Sequence, residues 1–174
     1  MYNTVTFNMV AGIAGSGKTT WAYAHAKPGD VILDSDEIRA EVLGNSEDQN
    51  NHALVFQTMY DRALAALIEG RNVWYVATNL RKDFRKATVQ RIRDEYYKSD
   101  PYRGDTLYTD LWWMKCSLET ALERNANRDR HVPEDVIRSM YLSKLKSGTS
   151  RCEGWTTITF VEEDGSVRFV SGGH

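Results

Sequence analysis

Residues 12–20 have the composition and spacing of a phosphate-binding loop. They read Gly12-Ile13-Ala14-Gly15-Ser16-Gly17-Lys18-Thr19-Thr20, in which residues 12–19 match the pattern G-x-x-x-x-G-K-[ST]. Glycines allow such a loop to curl until successive backbone N–H groups point at a phosphate, and the following helix contributes its positive dipole end. The residues expected to bind a nucleotide are Gly12, Ala14, Gly15, Ser16, Gly17, Lys18, Thr19 and Thr20. Lys18 is expected to reach the β- and γ-phosphates, and the Thr19 hydroxyl to bind Mg²⁺.

A second group of charged residues follows the apolar run at residues 31–33 and consists of Asp34, Asp36 and Arg39. A carboxylate at the C-terminal end of a strand can accept the proton of an attacking hydroxyl. An arginine one helical turn further along can orient both the carboxylate and the acceptor. Either aspartate, or Ser35, can instead be the N-cap of the following helix. The residues alone leave both interpretations open.

The third group is a pair of arginines, Arg124 and Arg128, within a predicted helix at residues 118–128. Their spacing of four places them on one helix face, and the planar guanidinium group suits phosphate oxygens. Arginines just before a short polar loop are typical of a lid that neutralises charge in a transition state, and this lid would span about residues 124–135. An exposed helix in which Glu123 and the arginines form weak ion pairs is the alternative.

The elements that must position these groups alternate between strands and helices. Apolar residues at every second position predict a strand at residues 5–9, directly before the glycine loop. Spacings of three and four predict a long amphipathic helix that ends at Gly70. Further strands are predicted at residues 31–33, 73–77 and 107–114, further helices at 19–26, 37–43, 83–98 and 136–145, and a hairpin at 155–170. We therefore expect an α/β fold of the P-loop NTPase type, a three-layer sandwich with helices on both faces of a mostly parallel sheet, a small lid and a C-terminal β-hairpin.

Composition limits the class of protein. The chain has 174 residues, a formal net charge of −2 and two cysteines that lack a zinc-binding spacing. Its length favours one domain over residues 1–174, with a core that buries roughly 70% of the surface of the unfolded chain. No segment reaches the roughly 18 consecutive apolar residues of a membrane helix, and the N-terminus lacks the features of a secretion signal. We expect a cytoplasmic protein that does not associate with membranes.

Charge is distributed unevenly along the chain. Residues 30–48 carry seven acidic residues and one basic residue, whereas residues 81–93 carry six basic residues and one acidic residue. The six basic residues are Arg81, Lys82, Arg85, Lys86, Arg91 and Arg93. They are interpreted either as the solvated face of a helix or as a surface for a phosphate-bearing partner.

The order of these motifs resembles the kinase domain of phage polynucleotide 5′-hydroxyl kinases and the small P-loop kinases around them, an AAA-like group of ATP-binding proteins. The segments that carry the resemblance are GIAGSGKTTWA, DSDEIR, VWYVATNL and ERNANRDRHVPEDVIRSMY, and the resemblance as a whole extends over nearly the whole chain. The resemblance implies that Asp36 is the general base and that Arg39 is its partner at the acceptor. It also implies that Arg124 and Arg128 are lid arginines on the donor phosphates.

At Ala77 the chain departs from the sequence pattern of the polynucleotide kinases that it resembles. Those kinases usually have an acidic residue before the Thr-Asn pair at the end of the third strand, where this sequence has Ala77-Thr78-Asn79. The carboxylate that would act there on the arginine or the acceptor is missing or has moved, and Asp34 is a candidate to substitute for it.

The expected function is a kinase that uses ATP and Mg²⁺ to phosphorylate a hydroxyl, and the expected acceptor is the 5′-OH end of DNA or RNA. One alternative is a kinase of the same build with another hydroxyl acceptor, such as a sugar, an antibiotic or a hydroxymethylated base in DNA. The other is an ATPase or nucleotide-binding module without an acceptor. A carboxylate after the second strand favours a kinase over an ATPase. Motor-type and oligomeric P-loop ATPases usually have an apolar strand that ends in Asp or Asp-Glu and serves as a magnesium site. The only other strand that might serve here, residues 73–77, leads into Thr78-Asn79 and has no such carboxylate.

Overall fold

Strands and helices alternate along residues 4–45, 51–101, 104–128 and 131–171, which are the residues described by the computed structural model. The strands are β1 (Thr4–Ala11), β2 (Val31–Asp34), β3 (Val73–Val76), β4 (Thr106–Met114), β5 (Thr157–Val161) and β6 (Val167–Ser171). The helices are α1 (Lys18–His25), α2 (Ser35–Leu43), α3 (His52–Ile68), α4 (Lys82–Ser99), α5 (Leu118–Ala126) and α6 (Glu134–Ser147), and a short 3-10 helix spans Arg151–Glu153. None of the helices in the described ranges is both long and apolar enough to cross a membrane.

The six strands form one sheet in the order β2-β3-β1-β4-β5-β6. The first five strands are parallel, and β6 runs antiparallel to β5 at the edge of the sheet. This architecture confirms the predicted α/β class, the mostly parallel sheet and the C-terminal hairpin. Because the parallel strands all point the same way, the segments that follow β1, β2, β3 and β4 meet at one edge of the sheet, which is where open α/β sheets bind ligands.

Both faces of the sheet are covered, but by different numbers of helices. The larger core contains Phe7 and Met9 of β1 together with buried residues of α3, α4, α5 and α6. On the other face, Val10 of β1 packs with Ala22 of α1 and with three tryptophans, Trp21, Trp74 and Trp112. Successive side chains of a strand point to opposite faces, so β1 is buried on both sides, as expected of a central parallel strand.

The basic face predicted for residues 81–93 is wrong at Arg85. The Arg85 and Glu153 side chains are fully buried, and Arg85 Nε donates to Glu153 Oε2 at 2.8 Å. Arg85 also donates to the backbone carbonyl oxygens of Leu80 at 2.7 Å and Gly148 at 2.6 Å. Buried charges need this degree of pairing and hydrogen bonding. Arg85 therefore joins the start of α4 to the segment after α6 and is not available to a ligand.

We expect Glu153→Ala to destabilise the protein strongly, because it leaves the Arg85 guanidinium buried without its counter-ion. The free energy of unfolding should fall by about 3–5 kcal/mol, as for other broken buried pairs. Glu95→Ala is the matched control, since Glu95 pairs with Lys98 at 3.8 Å on the surface and exposed pairs contribute about 0–1 kcal/mol. Urea denaturation measures both variants. Equal losses of stability in the two variants would contradict the assignment of Arg85 and Glu153 as a stabilising buried ion pair.

Candidate active site

The glycine loop connects β1 to α1 and is held in place by the neighbouring strands. The Gly12 N–H donates to Thr78 O at 3.0 Å, which ties the loop to the end of β3. Gly15 and Gly17 have φ values of 79° and 88°, in the left-handed region that favours glycine. A Cβ atom at Gly15 would lie 2.5 Å from Ala121 O of α5. Glycine at these positions therefore allows both the curl of the loop and the close approach of α5.

The start of α1 presents backbone donors beside this loop. Gly17 is the N-cap of α1 and contributes no side-chain hydrogen bond. Since the first N–H groups of a helix lack intrahelical partners, they are donors for an anion, and the helix dipole favours negative charge there. Ala14 and Ser16 are buried within the loop, whereas Thr20 is exposed on α1. Of the eight predicted nucleotide-binding residues in this loop, Thr20 is thus the most exposed to solvent, and the two predicted lid residues, Arg124 and Arg128, are exposed as well.

Lys18 is half-buried in the loop, and its Nζ donates to Ile13 O at 2.8 Å. Burial lowers the pKa of Lys18 to about 8, although the nearby carboxylates of Asp34 and Asp36 act in the opposite direction. The positive charge of Arg128 acts on this pKa in the same direction as burial. Phosphates that approach Lys18 would favour its charged form.

Asp34, at the end of β2, connects the glycine loop to α2. Its Oδ2 accepts a hydrogen bond from Thr19 Oγ1 at 2.7 Å, and its Oδ1 accepts one from the Asp36 N–H at 2.8 Å. The second bond makes Asp34 the N-cap of α2, which begins at Ser35 rather than at the predicted residue 37. Of the three N-cap candidates, the structure thus selects Asp34.

Asp36 and Arg39 form an ion pair one turn apart on α2. Arg39 Nη1 lies 3.0 Å from Asp36 Oδ1, and the Arg39 side chain is almost fully buried whereas 48% of the Asp36 side chain is exposed. Arg39 Nη2 also lies 3.3 Å from Nδ1 of His52, at the start of α3. The buried guanidinium group therefore holds a carboxylate that faces solvent.

His52 is a contact that the sequence analysis missed. It precedes the amphipathic run of α3 and lies beyond residues 46–50, which are outside the described ranges. Nothing in the local sequence indicates that it meets Arg39, because the two residues are brought together by the packing of α2 on α3.

Thr19 and Asp34 have the donor atoms that Mg²⁺ prefers, namely a hydroxyl and a carboxylate oxygen close together. Mg²⁺ usually keeps several waters and binds to one or two protein oxygens plus substrate phosphates. The described part of the chain contains no group of three or more His, Cys, Asp or Glu residues able to hold a metal. The Thr19–Asp34 pair therefore fits a Mg²⁺ ion that is also coordinated by the phosphates of a nucleotide.

Arg124 lies beside the glycine loop. Its Nη1 is 3.5 Å from Gly15 O and 3.8 Å from the position that a Cβ atom of Gly17 would take. The prediction that one helix carries both arginines on the same face is wrong, because α5 ends at Ala126 and Arg128 follows it in a turn. The Arg128 N–H donates to Asn125 O at 3.3 Å, which reverses the chain after the helix.

The rest of the predicted lid, about residues 124–135, is only partly described, since residues 129 and 130 lie outside the described ranges. Asn125, which is buried, organises the part that is described. Its Nδ2 donates to Val132 O and its Oδ1 accepts from the Val132 N–H, both at 2.9 Å. Nothing in the local sequence singles out Asn125, because Val132, whose backbone it binds, lies beyond the end of α5.

The comparisons with known proteins agree on the fold. A family model described as an AAA domain matches residues 8–143. A gluconokinase from Sinorhizobium meliloti 1021 is similar in structure, with a TM-score of 0.50, 18% identity, and coverage of 90% of this chain and 82% of that chain. A deoxyadenosine kinase from M. mycoides has a TM-score of 0.50 and 15% identity, with 91% of each chain covered. No curated protein matches the sequence significantly.

A fungal RNA kinase is also similar in structure. The TM-score is 0.62 at 13% identity, and the match covers 91% of this chain but 38% of that chain, so the present chain spans well under half of its length. These likenesses, all at low identity, show a shared P-loop kinase fold.

Proposed function

We propose that this chain, which belongs to the AAA domain family and has the fold of P-loop kinases, is an ATP-dependent kinase for the 5′-OH end of DNA or RNA. The observation that carries the proposal is the hydrogen bond from Thr19 to Asp34, at 2.7 Å. This bond joins the glycine loop to the segment that carries Asp36 and Arg39, which supports a donor site and an acceptor site side by side. A donor and an acceptor bound to these two segments would meet at the same edge of the sheet.

On the donor side, the backbone of the glycine loop and Lys18 would bind the phosphates of ATP, and Arg124 and Arg128 would neutralise the charge that develops during transfer. Thr19, together with Asp34, would hold Mg²⁺, and the ion would neutralise part of the negative charge of the nucleotide phosphates. Phosphoryl transfer requires little covalent chemistry from the protein, so positioning and charge account for most of the catalysis.

On the acceptor side, Asp36 would accept the proton of the attacking hydroxyl. Its carboxylate is half-exposed and is held by the buried Arg39 guanidinium group at 3.0 Å. Because Asp34 is the N-cap of α2, Asp36 is not required for that role. Arg39 is a positioning residue for Asp36 and a candidate contact for the acceptor.

Support for a nucleic-acid acceptor comes from the order of motifs shared with polynucleotide kinases and from the likeness in fold to the fungal RNA kinase. The second candidate is a kinase for another hydroxyl, such as a sugar, an antibiotic or a hydroxymethylated base. Ala77 favours it, because a buried methyl group stands where the resembled kinases have a carboxylate. The gluconokinase and the deoxyadenosine kinase have the same fold.

An acceptor panel tests the proposal. The purified protein is incubated with γ-labelled ATP, Mg²⁺ and one acceptor at a time: a 5′-OH DNA oligonucleotide, its RNA counterpart, the 5′-phosphorylated form of each, deoxyadenosine or gluconate. We expect label in the 5′-OH oligonucleotides alone. Label in deoxyadenosine or gluconate but in no oligonucleotide would favour the second candidate. Release of phosphate at the same rate with and without any acceptor would contradict both kinase proposals.

A further inference from the structure

A basic groove lies between the start of α4 and the end of α6. It has a volume of about 590 Å³, and buried Leu80 is among its lining residues. Its cationic lining residues are Arg81, Lys82, Lys86 and Lys146, and its one acidic lining residue is Asp83. All five charged side chains are exposed.

Three of these cations have no carboxylate partner among the residues that the structure describes. Asp83 pairs with Arg81, which balances one positive charge. Lys82, Lys86 and Lys146 form no ion pair within the described parts of the chain. The groove therefore has a net positive charge, which is the property that attracts a polyanion.

The two walls of the groove are fixed relative to each other. The Lys82 N–H donates to Ser147 Oγ at 3.1 Å, so the first turn of α4 is bonded to the end of α6. Beneath them, buried Arg85 binds both Leu80 O and Gly148 O. The backbone positions that carry the lysines are thus fixed by the fold, so binding a ligand requires only that the exposed lysine side chains become ordered.

The groove lies at the same edge of the sheet as the candidate active site. Thr78, two residues before Leu80, is bonded to Gly12 of the glycine loop at 3.0 Å. On the side of the site formed by the end of β2 and α2 the charge is opposite: residues 34–43 carry four acids against Arg39, a formal charge of −3, although Glu41 is paired with Arg62 of α3. A strand of phosphodiesters that leaves the active site would be repelled by α2 and attracted by the groove.

We propose that this groove binds the phosphodiester backbone of the acceptor strand, beyond its 5′-terminal nucleotide. The inference rests on the proposed function and extends it: the chain recognises a polynucleotide rather than a terminal nucleotide alone, and the strand leaves the site over the start of α4. Phosphate contacts of this kind position a strand without reading its sequence.

The test compares two triple variants. The first is Lys82→Glu, Lys86→Glu and Lys146→Glu in the groove. The control is Lys27→Glu, Arg71→Glu and Lys98→Glu, which makes the same change in charge at the opposite edge of the sheet, after α1, before β3 and at the end of α4. Thermal unfolding monitored by circular dichroism verifies that both variants fold.

The groove variant is expected to raise the KM for a 5′-OH octanucleotide by roughly tenfold or more and to reduce the slope of log KM against log salt by about 2, or ~0.7 for each lost single-strand contact. The KM values for ATP and for a nucleoside 3′-monophosphate, which lacks the following phosphodiesters, should not change. The control variant should behave as the unmodified protein. An unchanged KM for the octanucleotide would overturn the groove assignment and leave the kinase proposal standing.

If no acceptor takes up phosphate from γ-labelled ATP, a binding experiment separates the groove proposal from the kinase proposal. It measures the anisotropy of a fluorescein-tagged octanucleotide in the absence of ATP. Binding that is lost in the groove variant alone supports the groove, while the absence of transfer to any acceptor contradicts the kinase assignment. Absent binding, or binding equal in both triple variants, overturns the groove.

Discussion

Lys18→Ala is expected to lower phosphoryl transfer by roughly 10³-fold or more, because it removes the side-chain cation of the glycine loop from the place where charge develops in the transition state. The backbone donors of the loop would remain, so the effect arises from the lost charge of the Nζ atom. Transfer from γ-labelled ATP measures it. Lys27→Ala, an exposed lysine two residues after α1, is the matched control and should retain full activity.

The same substitution should leave the fold intact. Lys18 gives up one hydrogen bond, to Ile13 O. Its burial lowers its pKa in the folded state to about 8, below the value of 10.5 of an ordinary lysine. The unfolded chain therefore binds more protons between these two pH values, so at neutral pH the charged Lys18 opposes folding and its removal relieves that cost. An active Lys18→Ala protein would contradict the phosphate-loop assignment.

Asp36→Asn is expected to lower kcat by roughly 10²–10⁴-fold with little change in the affinity for ATP. The amide keeps the size of the side chain but cannot accept the proton of the acceptor hydroxyl. Asp34 and not Asp36 is the N-cap of α2, so the cap is kept. Arg39 loses its counter-ion, but the amide oxygen of Asn can still accept from Arg39 Nη1 and Asp36 is half-exposed, so the loss of stability should be smaller than that of Glu153→Ala. Glu37→Gln, the neighbouring exposed acid on α2, is the control and should keep its kcat.

Steady-state kinetics with a 5′-OH oligonucleotide distinguish the roles of Asp36. A loss confined to kcat supports a proton acceptor, whereas a loss confined to the KM of the acceptor supports a binding role. Full activity of Asp36→Asn would exclude Asp36 as the general base. Asp34 would then be the remaining carboxylate after β2, although its two oxygens are already bonded to Thr19 and to the Asp36 N–H.

The parts of the fold that depend on local patterns were predicted from the sequence. The period-two pattern before the glycines predicted β1, and the tail predicted the hairpin of β5 and β6. The glycine loop was located because its residue types and spacing are required by its backbone conformation, as the φ values of Gly15 and Gly17 show.

The parts that depend on distant partners were not predicted. Arg85 was assigned to an exposed basic face because its partner, Glu153, lies 68 residues away. The choice between Asp34 and Asp36 as N-cap stayed open because both aspartates stand at the start of α2, and only the hydrogen bond to the Asp36 N–H decides it. The helix expected to carry Arg128 stops at Ala126, because the side chain of Asn125 binds the backbone of Val132 and turns the chain.

The central claim is that the γ-phosphoryl group reaches the 5′-hydroxyl of a nucleic-acid end, and the position of the label tests it most directly. An unmodified 5′-OH oligonucleotide is incubated with γ-labelled ATP and Mg²⁺, purified, and digested to 5′-mononucleotides. The account predicts that all recovered label is in the 5′-terminal mononucleotide and that a 5′-phosphorylated oligonucleotide takes up none. Label found only as free phosphate, or taken up equally by the blocked oligonucleotide, would contradict it.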